Sequence, residues 1–402
     1  MKIAFVSYHY WPPHFGGELL LSIERFQSLV ERGHEVHVFT SGSQDMASDE
    51  VVEGLVIHRS PKIGDSRIGK GIRRLLFPWW VRGTLKNFSP NIIHYGGVGG
   101  ISDICNYLGF SLLNAWAQKH NAKTVIVHSL ADNDQEAFSQ KGWSSYWRNK
   151  SFKGIQKIVS VSPYLNEGVK KVFPEKAELI ILGVRDDLFL PVEKKVRSQT
   201  RETLLTPENA IVFSFLGTVN ERKGFDLLLE AYKQLRKDGL NACLWVIGPN
   251  SKRENQNFIA SSINIDDEKP SDEEEIRYLG RIDNREYLAK LIGSSDVFVF
   301  PSRREGFGLA PVEAMSTGIP VIISRIRGVT DLANLEGITG YYSKMGDAVS
   351  LKKLMLALAE DKDLRARMGK AARERVIKEF GWKTHVTNWE NLYMQLTDEG
   401  QR

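Results

Sequence analysis

The sequence predicts an α/β protein built from two parallel-sheet units in tandem. Strand-length apolar runs alternate with helical stretches before residue 185, and the alternation restarts after residue 210. The chain is also 402 residues long, beyond the roughly 250–300 at which a single hydrophobic core stops growing. Hydrophobic residues make up 42% and charged residues 26%, a globular balance that excludes wholesale disorder or a collagen-like fibre. No run reaches the roughly 18 apolar residues that span a bilayer.

KIAFVSY opens the chain as a short apolar strand, followed by Pro12-Pro13 and Gly16-Gly17. Apolar residues then recur at helical spacing over 19–30, Gly33 ends that helix, and EVHVFT alternates as a strand. Strand, loop, helix and strand within about forty residues make a βαβ unit. NIIHY, KTVIVHS, KIVSVS and ELIILG follow as strands with helical stretches between several of them, the pattern of a parallel sheet covered on both faces. Residues 186–209 are charged, contain Pro191 and Pro207 and show no long apolar period. They read as a linker between a first domain, 1–185, and a second, 210–378.

The second domain runs through IVFSFLG, a helix over FDLLLEAYKQL, then ACLWVIG, RYLGRI, DVFVFPS and PVIIS. Before RYLGRI lies a polar insert in which residues 266–275 hold seven acids; it reads as a solvated loop. Residues 350–396 are helical in pattern, and Gly381-Trp382 interrupts them. Residues 379–402 are therefore expected to form a last helix, one that crosses back to the first domain. No repeat of fixed period is present.

The net charge of +5 is unevenly spread: residues 1–185 hold 22 Lys and Arg against 16 Asp and Glu. Residues 59–86 alone carry eight cations and one acid, Asp65, around Leu75-Leu76-Phe77-Pro78-Trp79-Trp80-Val81. Cations beside Trp79, Trp80 and Phe77 have the composition of an interfacial membrane contact, although Pro78 is expected to break a long helix there. A solvated basic face with buried tryptophans explains the same composition. No nucleic-acid-binding motif accompanies the patch, so no nucleic-acid partner is expected. Two cysteines, Cys105 and Cys243, cannot supply a four-ligand zinc site. The first residues lack the small-residue cleavage site of a signal peptide. The expected location is cytoplasmic, or peripheral on the inner face of a membrane.

Four segments could carry chemistry. Gly16-Gly17 lies between the first strand and the first helix, where glycine lets a phosphate approach open backbone N–H groups. A tight turn explains the pair equally. Gly96-Gly97-Val98-Gly99-Gly100 follows another strand and is similarly open to either reading. Gly217 to Gly224 places Arg222 and Lys223 between a strand and a helix, where they can neutralise a diphosphate or form a solvated pair. The fourth segment, Pro301 to Glu313, follows DVFVF, with Pro311 in the first turn of a helix and Gly306-Phe307-Gly308 leaving backbone N–H groups open. Glu305 and Glu313 stand eight positions apart; a carboxylate accepts two hydroxyl hydrogen bonds and so suits the diols of sugars and riboses. Glu313 near a helix N-terminus also stabilises that helix. His128 ends KTVIV, and Asp132-Asn133-Asp134 after it reads as a polar turn rather than a metal site.

EGFGLAPVE resembles the E-x7-E motif of the retaining glycosyltransferases of family four. The similarity extends over nearly the whole chain, through the Gly-Gly loop, His128, SVSPYLNEGV, the Arg-Lys-Gly helix start, RYLGRI and Gly318-Ile-Pro-Val. It implies the GT-B architecture, two Rossmann-like α/β/α domains facing each other across a cleft, the first on the acceptor side and the second on the donor side. It also implies roles. Glu313 would hold ribose hydroxyls. Glu305, Gly306, Phe307, Gly308 and Leu309 would hold the donor sugar. Arg222, Lys223, Gly16 and Gly17 would meet the diphosphate, Arg281 would lie beside the base, and His128 would contact the sugar near the reacting carbon. His128, Glu305 and Lys223 are thus the catalytic candidates. Two positions depart from the family: Thr218 stands where an Arg is frequent, and Leu182 stands where Asn is common before glycine.

The reaction implied is retaining transfer of a glycosyl unit from a UDP- or GDP-sugar to a hydroxyl of a glycan, lipid-linked or small-molecule acceptor. No cofactor and no obligatory metal are expected, since cations and amides can carry the leaving charge. A nucleotide-sugar epimerase of the same architecture and a catalytically silent nucleotide-sugar-binding protein are the alternatives.

Overall fold

The structure, a computed structural model, describes residues 1–8, 17–42, 46–61, 67–96, 104–128, 143–207, 209–249, 275–328 and 336–398. The chain forms two compact units, Met1–Ile181 with Lys383–Arg402, and Leu182–Trp382.

The first unit is built from β1 (Lys2–Val6), α1 (Gly17–Glu31), β2 (Glu35–Ser41), β3 (Asp49–Val52), β4 (Leu55–Ser60), α2 (Arg67–Phe88), β5 (Ile92–Tyr95), α3 (Ile104–Lys119), β6 (Lys123–His128), α4 (Trp143–Phe152), β7 (Lys157–Ser160), α5 (Pro163–Lys170) and β8 (Ala177–Leu179). Its sheet runs β3-β4-β2-β1-β5-β6-β7-β8, parallel throughout except for β3, which pairs antiparallel with β4. The sequence reading contains no such hairpin. It turns on Glu53 and Gly54, both at positive φ (49° and 80°), the backbone that tight hairpins demand.

Apolar side chains from both layers fill the core: Ala4, Val6, Phe39 and Tyr95 from the sheet meet Phe77, Val81, Leu85 and Phe88 of α2 and Leu113 and Trp116 of α3. Three expectations for residues 59–86 are corrected. Pro78 lies inside α2 without ending it. It is buried beside Gly109 of α3, where an added Cβ would stand 2.5 Å from its ring, so close helix packing holds the helix through the proline. Phe77 is buried and Trp80 half-buried against the same core, leaving Trp79 as the exposed aromatic of the three. Arg59 is buried and paired with Glu50.

The second unit comprises α6 (Lys194–Thr203), β9 (Ile211–Leu216), α7 (Phe225–Lys237), β10 (Ala242–Ile247), β11 (Ile276–Gly280), α8 (Arg285–Gly293), β12 (Val297–Phe300), α9 (Leu309–Ser316), β13 (Val321–Ser324), β14 (Gly340–Ser343), α10 (Ala348–Glu360) and α11 (Lys362–Glu379). Its sheet is parallel, in the order β11-β10-β9-β12-β13-β14. Leu228, Tyr232 and Leu235 of α7 and Leu351, Met355 and Leu358 of α10 pack on Phe213, Leu244 and Val299. Within 186–209 the chain forms α6 and lies in this unit. Arg197 and Arg201 of that helix each meet Asp296 at 2.6 Å, and the same carboxylate accepts from the Val212 N–H at 2.8 Å. Burial pushes the Asp296 pKa up, but the two guanidiniums outweigh it and hold the carboxyl below its ordinary value.

The last helix, α12 (Trp382–Asp398), belongs from Lys383 onward to the first unit. Its Trp389 lies under the buried guanidinium of Arg25 at 4.3 Å, Tyr393 OH meets His94 Nδ1 at 2.6 Å, and Glu390 pairs with Arg32 at 2.6 Å.

Candidate active site

In the second unit the strand order reverses at β9: α7 carries the chain to β10 on one side, and β12 lies on the other. Ligands of open α/β sheets bind at such a reversal, outside the carboxyl ends of the strands. The loops that leave β9 and β12 there are the two segments that carry Lys223 and Glu305.

Gly224 lets those loops touch. It begins α7 with a φ of 69°, and a Cβ on it would stand 1.9 Å from the Pro301 carbonyl oxygen. The loops are then tied together. Arg303 N–H donates to the Arg222 carbonyl at 2.8 Å, and the Arg303 guanidinium grips Asp226 with two bonds of 2.7 and 2.6 Å. As a result one carboxylate oxygen, Glu305 Oε1, gathers three donors: Lys223 Nζ at 2.6 Å, Ser302 Oγ at 2.8 Å and Arg222 Nη1 at 3.4 Å. The Lys223–Glu305 pair is mostly buried, at 15% and 10% side-chain exposure, whereas Arg222 is open at 46%. Lys223 Nζ also stands 5.0 Å from the Phe300 ring centroid, and its backbone N–H is accepted by Asn220 Oδ1 at 2.9 Å. An ammonium presented this way retains further N–H donors, and with Arg222 beside it the local charge favours an anion.

Glu313 is nearly fully buried in α9, and its Oε1 accepts from Arg285 Nη1 at 2.7 Å. Gly308, at φ 81°, begins that helix without a side-chain cap. Phe307 is core, in edge contact with Phe380 at 6.0 Å; Leu309 is the first residue of α9. Arg281 ends up exposed, pairing with Asp283 at 2.7 Å just beyond the edge strand β11.

Sequence reading missed Arg285 and Ser302. A signal for Arg285 exists: Asn284 caps α8 by accepting from Tyr287 N–H at 2.8 Å. That cap puts a cation in the first turn, against the helix dipole, which implies a partner elsewhere.

In the first unit the order reverses at β1, between β2 and β5. Gly17 starts α1 and is exposed. His128 is the last residue of β6, buried, and in register with Ser160 of β7. Gly96 follows β5 so closely that a Cβ would stand 2.9 Å from both Phe5 and Ser7. Gly16, Gly97, Gly99, Gly100, Asp132 and Asp134 lie outside the described residues. Among the described residues no group of three or more His, Cys, Asp or Glu is placed to hold a metal ion.

Comparison with known proteins shows the family and the fold. The family model for glycosyl transferases group 1 matches residues 196–375, and that for glycosyltransferase family 4 matches residues 24–188. The chain is 24% identical to N-acetyl-alpha-D-glucosaminyl L-malate synthase of Bacillus anthracis, over 98% of this chain and 97% of that protein. It is 27% identical to D-inositol 3-phosphate glycosyltransferase of Corynebacterium efficiens, over 99% and 96%. Among solved structures, sucrose-phosphate synthase from Thermosynechococcus elongatus matches with a TM-score of 0.78 at 21% identity, covering 99% of each chain. HepE of Anabaena in complex with UDP matches at 0.74 and 17%, covering 98% of this chain and 100% of that one. With both units matched by family models and the whole fold shared, the chain belongs to the family-four glycosyltransferases and has their GT-B fold.

Proposed function

We propose that the protein transfers a glycosyl unit from a nucleotide diphosphate sugar, UDP- or GDP-linked, to a hydroxyl acceptor with retention of anomeric configuration. The observation that supports this most is the convergence of Lys223, Arg222 and Ser302 on Glu305 where the second sheet reverses. As the glycosidic bond to the diphosphate breaks, negative charge grows on the leaving oxygens. Lys223 and Arg222 are assigned to that charge, and the ammonium is held in place beforehand by Glu305 and Phe300, so little reorganisation is needed at the moment of reaction. Glu305 with the 306–309 backbone is assigned to the sugar hydroxyls, Glu313 to the ribose, and Arg281 to the base. His128, Gly16 and Gly17 of the first unit are assigned to the donor sugar and diphosphate. No carboxylate acts as nucleophile in this scheme; the acceptor hydroxyl attacks the face the diphosphate leaves.

The first unit is taken as the acceptor side and the second as the donor side. Because Lys223, Arg222 and backbone amides bear the leaving charge, no divalent metal is required. The acceptor is a glycan, lipid-linked glycan or small molecule reached at the cytoplasmic side, with peripheral membrane contact through residues 59–86.

A thermal-shift screen of UDP- and GDP-sugars, followed by assay of nucleoside diphosphate release, tests the proposal. A stabilising donor that is turned over, in excess chelator as well as without it, is the expected result. Binding without diphosphate release points to a silent binding protein, and release of an epimerised sugar points to an epimerase. Loss of turnover in chelator with rescue by magnesium or manganese removes the metal-free scheme.

A further inference from the structure

We propose that the outward face of α2 docks the protein on an anionic lipid surface. This deepens the peripheral contact named above by identifying the residues that make it, and it stands on geometry separate from the donor site.

The helix carries two apolar stripes. One, Phe77, Val81, Leu85 and Phe88, is spent on the core of the first unit. The other, Ile72, Leu75, Leu76 and Trp79, follows the i, i+3, i+4, i+7 spacing of a helix face. Its members are 44, 50, 45 and 58% exposed. A solitary exposed leucine needs no explanation, but four large apolar residues aligned on one helix form a patch, and such patches mark interaction sites.

Charge selects the partner. Over its 22 residues α2 carries Arg67, Lys70, Arg73, Arg74, Arg82 and Lys86 and no acid. Arg82 lies over Trp79 at 5.7 Å, and Lys86 is exposed one turn further on. Toward the body of the unit, Arg73 donates to the Gly42 carbonyl at 3.0 Å, and Arg74 lies over Tyr8 at 5.6 Å. A second copy seated on this face would set these cations against their own kind. A bilayer containing acidic lipids accepts both features: headgroup phosphates take the cations, and the apolar stripe enters the boundary between headgroups and acyl chains. No helix among the described residues is long and apolar enough to cross a membrane, so the contact is one of lying on the surface. If the transferase reading holds, the acceptor hydroxyl is presented at that same surface.

The test is co-sedimentation of the full chain with vesicles of phosphatidylglycerol and phosphatidylcholine in equal parts, and with pure phosphatidylcholine, at low and high salt. Strong binding to the anionic vesicles that weakens with salt is expected. Arg82→Gln with Lys86→Gln should lower partitioning about 25-fold, roughly fivefold per cation. Leu75→Ser with Trp79→Ser should lower it at least about tenfold. Urea unfolding of each variant, expected to match the parent because these side chains face outward, shows that the fold is intact. Absence of binding at low salt, equal binding to neutral vesicles, or partitioning indifferent to both double variants overturns the proposal. So does lipid-free self-association abolished by the Leu75/Trp79 variant, which would assign the stripe to a second copy. Diphosphate release is measured in parallel: turnover without vesicle binding sinks the surface alone, and vesicle binding without turnover sinks the transferase reading alone.

Discussion

Replacing Gly224 by alanine should damage stability and turnover together, and the size of the effect follows from two separable causes. A non-glycine residue at φ 69° pays about 1–2 kcal/mol for the left-handed backbone. Its Cβ would also stand 1.9 Å from the Pro301 carbonyl oxygen. That atom is backbone, so the loop itself must move, at an overpacking cost of about 1–3 kcal/mol. The expected loss is therefore about 2–5 kcal/mol. Gly239→Ala is the control: it too has positive φ, 93°, but nothing within 4 Å of the added Cβ, so only the backbone cost of about 1–2 kcal/mol applies. Urea titrations compared through midpoint and slope give both values. Since the displaced loop carries Glu305, diphosphate release should fall in Gly224→Ala and persist in Gly239→Ala. Equal destabilisation of the two variants, within about 0.5 kcal/mol, would refute the claim that close contact at Pro301 sets the site.

Four further outcomes are expected. Lys223→Ala should lower kcat by more than it raises KM, because its charge matters most as the diphosphate leaves; equal changes would mean uniform binding instead. Arg285→Ala strands the buried Glu313 carboxylate, 3% exposed beside its partner, and should cost about 3 kcal/mol or more by urea unfolding. Glu313→Gln should be milder in stability and show its main effect as weaker donor binding in a titration; an unchanged donor affinity would remove Glu313 from the site. Burial, reinforced by Arg25, holds His94 well below the usual imidazole range and His385 down at about 3. The unfolded imidazoles bind protons near their ordinary value and the folded ones do not. Their stabilisation is thus fully present above about pH 6.5 and declines as pH falls, by up to about 1.4 kcal/mol per pH unit for each histidine. The folded-state NMR resonances of both rings should keep their neutral positions down to about pH 5, and titration near 6.5 would show that the rings reach solvent.

Elements that bury a continuous apolar run were legible in the sequence, because burial on both faces is written directly into residue type: IVFSFL and VFVF are strands that could hardly be anything else. Elements held by other forces were not. Helix α6 has no buried residue at all, so no apolar period announces it; its signal is two arginines one turn apart, Arg197 and Arg201, which converge on an aspartate 95 or more residues away. Helix α2 passes through Pro78 because its neighbour offers Gly109, a fact of tertiary packing. Likewise Arg222, Lys223 and Glu305 could be named singly, each from its place in a loop after a strand, whereas Arg285 and Ser302 could not. That Lys223 and Glu305, 82 positions apart, share a hydrogen bond follows from strand order, which no local pattern specifies.

The crossing of α12 has a consequence for how the protein is made. Leu182–Trp382 is one uninterrupted stretch, whereas the first unit is completed only by residues from Lys383 onward. During synthesis the second unit can close its core as soon as it emerges. The first unit must wait for it, about 10–40 s at ordinary elongation rates. Throughout that interval Arg25 lacks Trp389, Arg32 lacks Glu390 and His94 lacks Tyr393. The half that is translated first is thus the half that finishes folding last, and its exposed seam during the delay is a natural point for chaperone engagement.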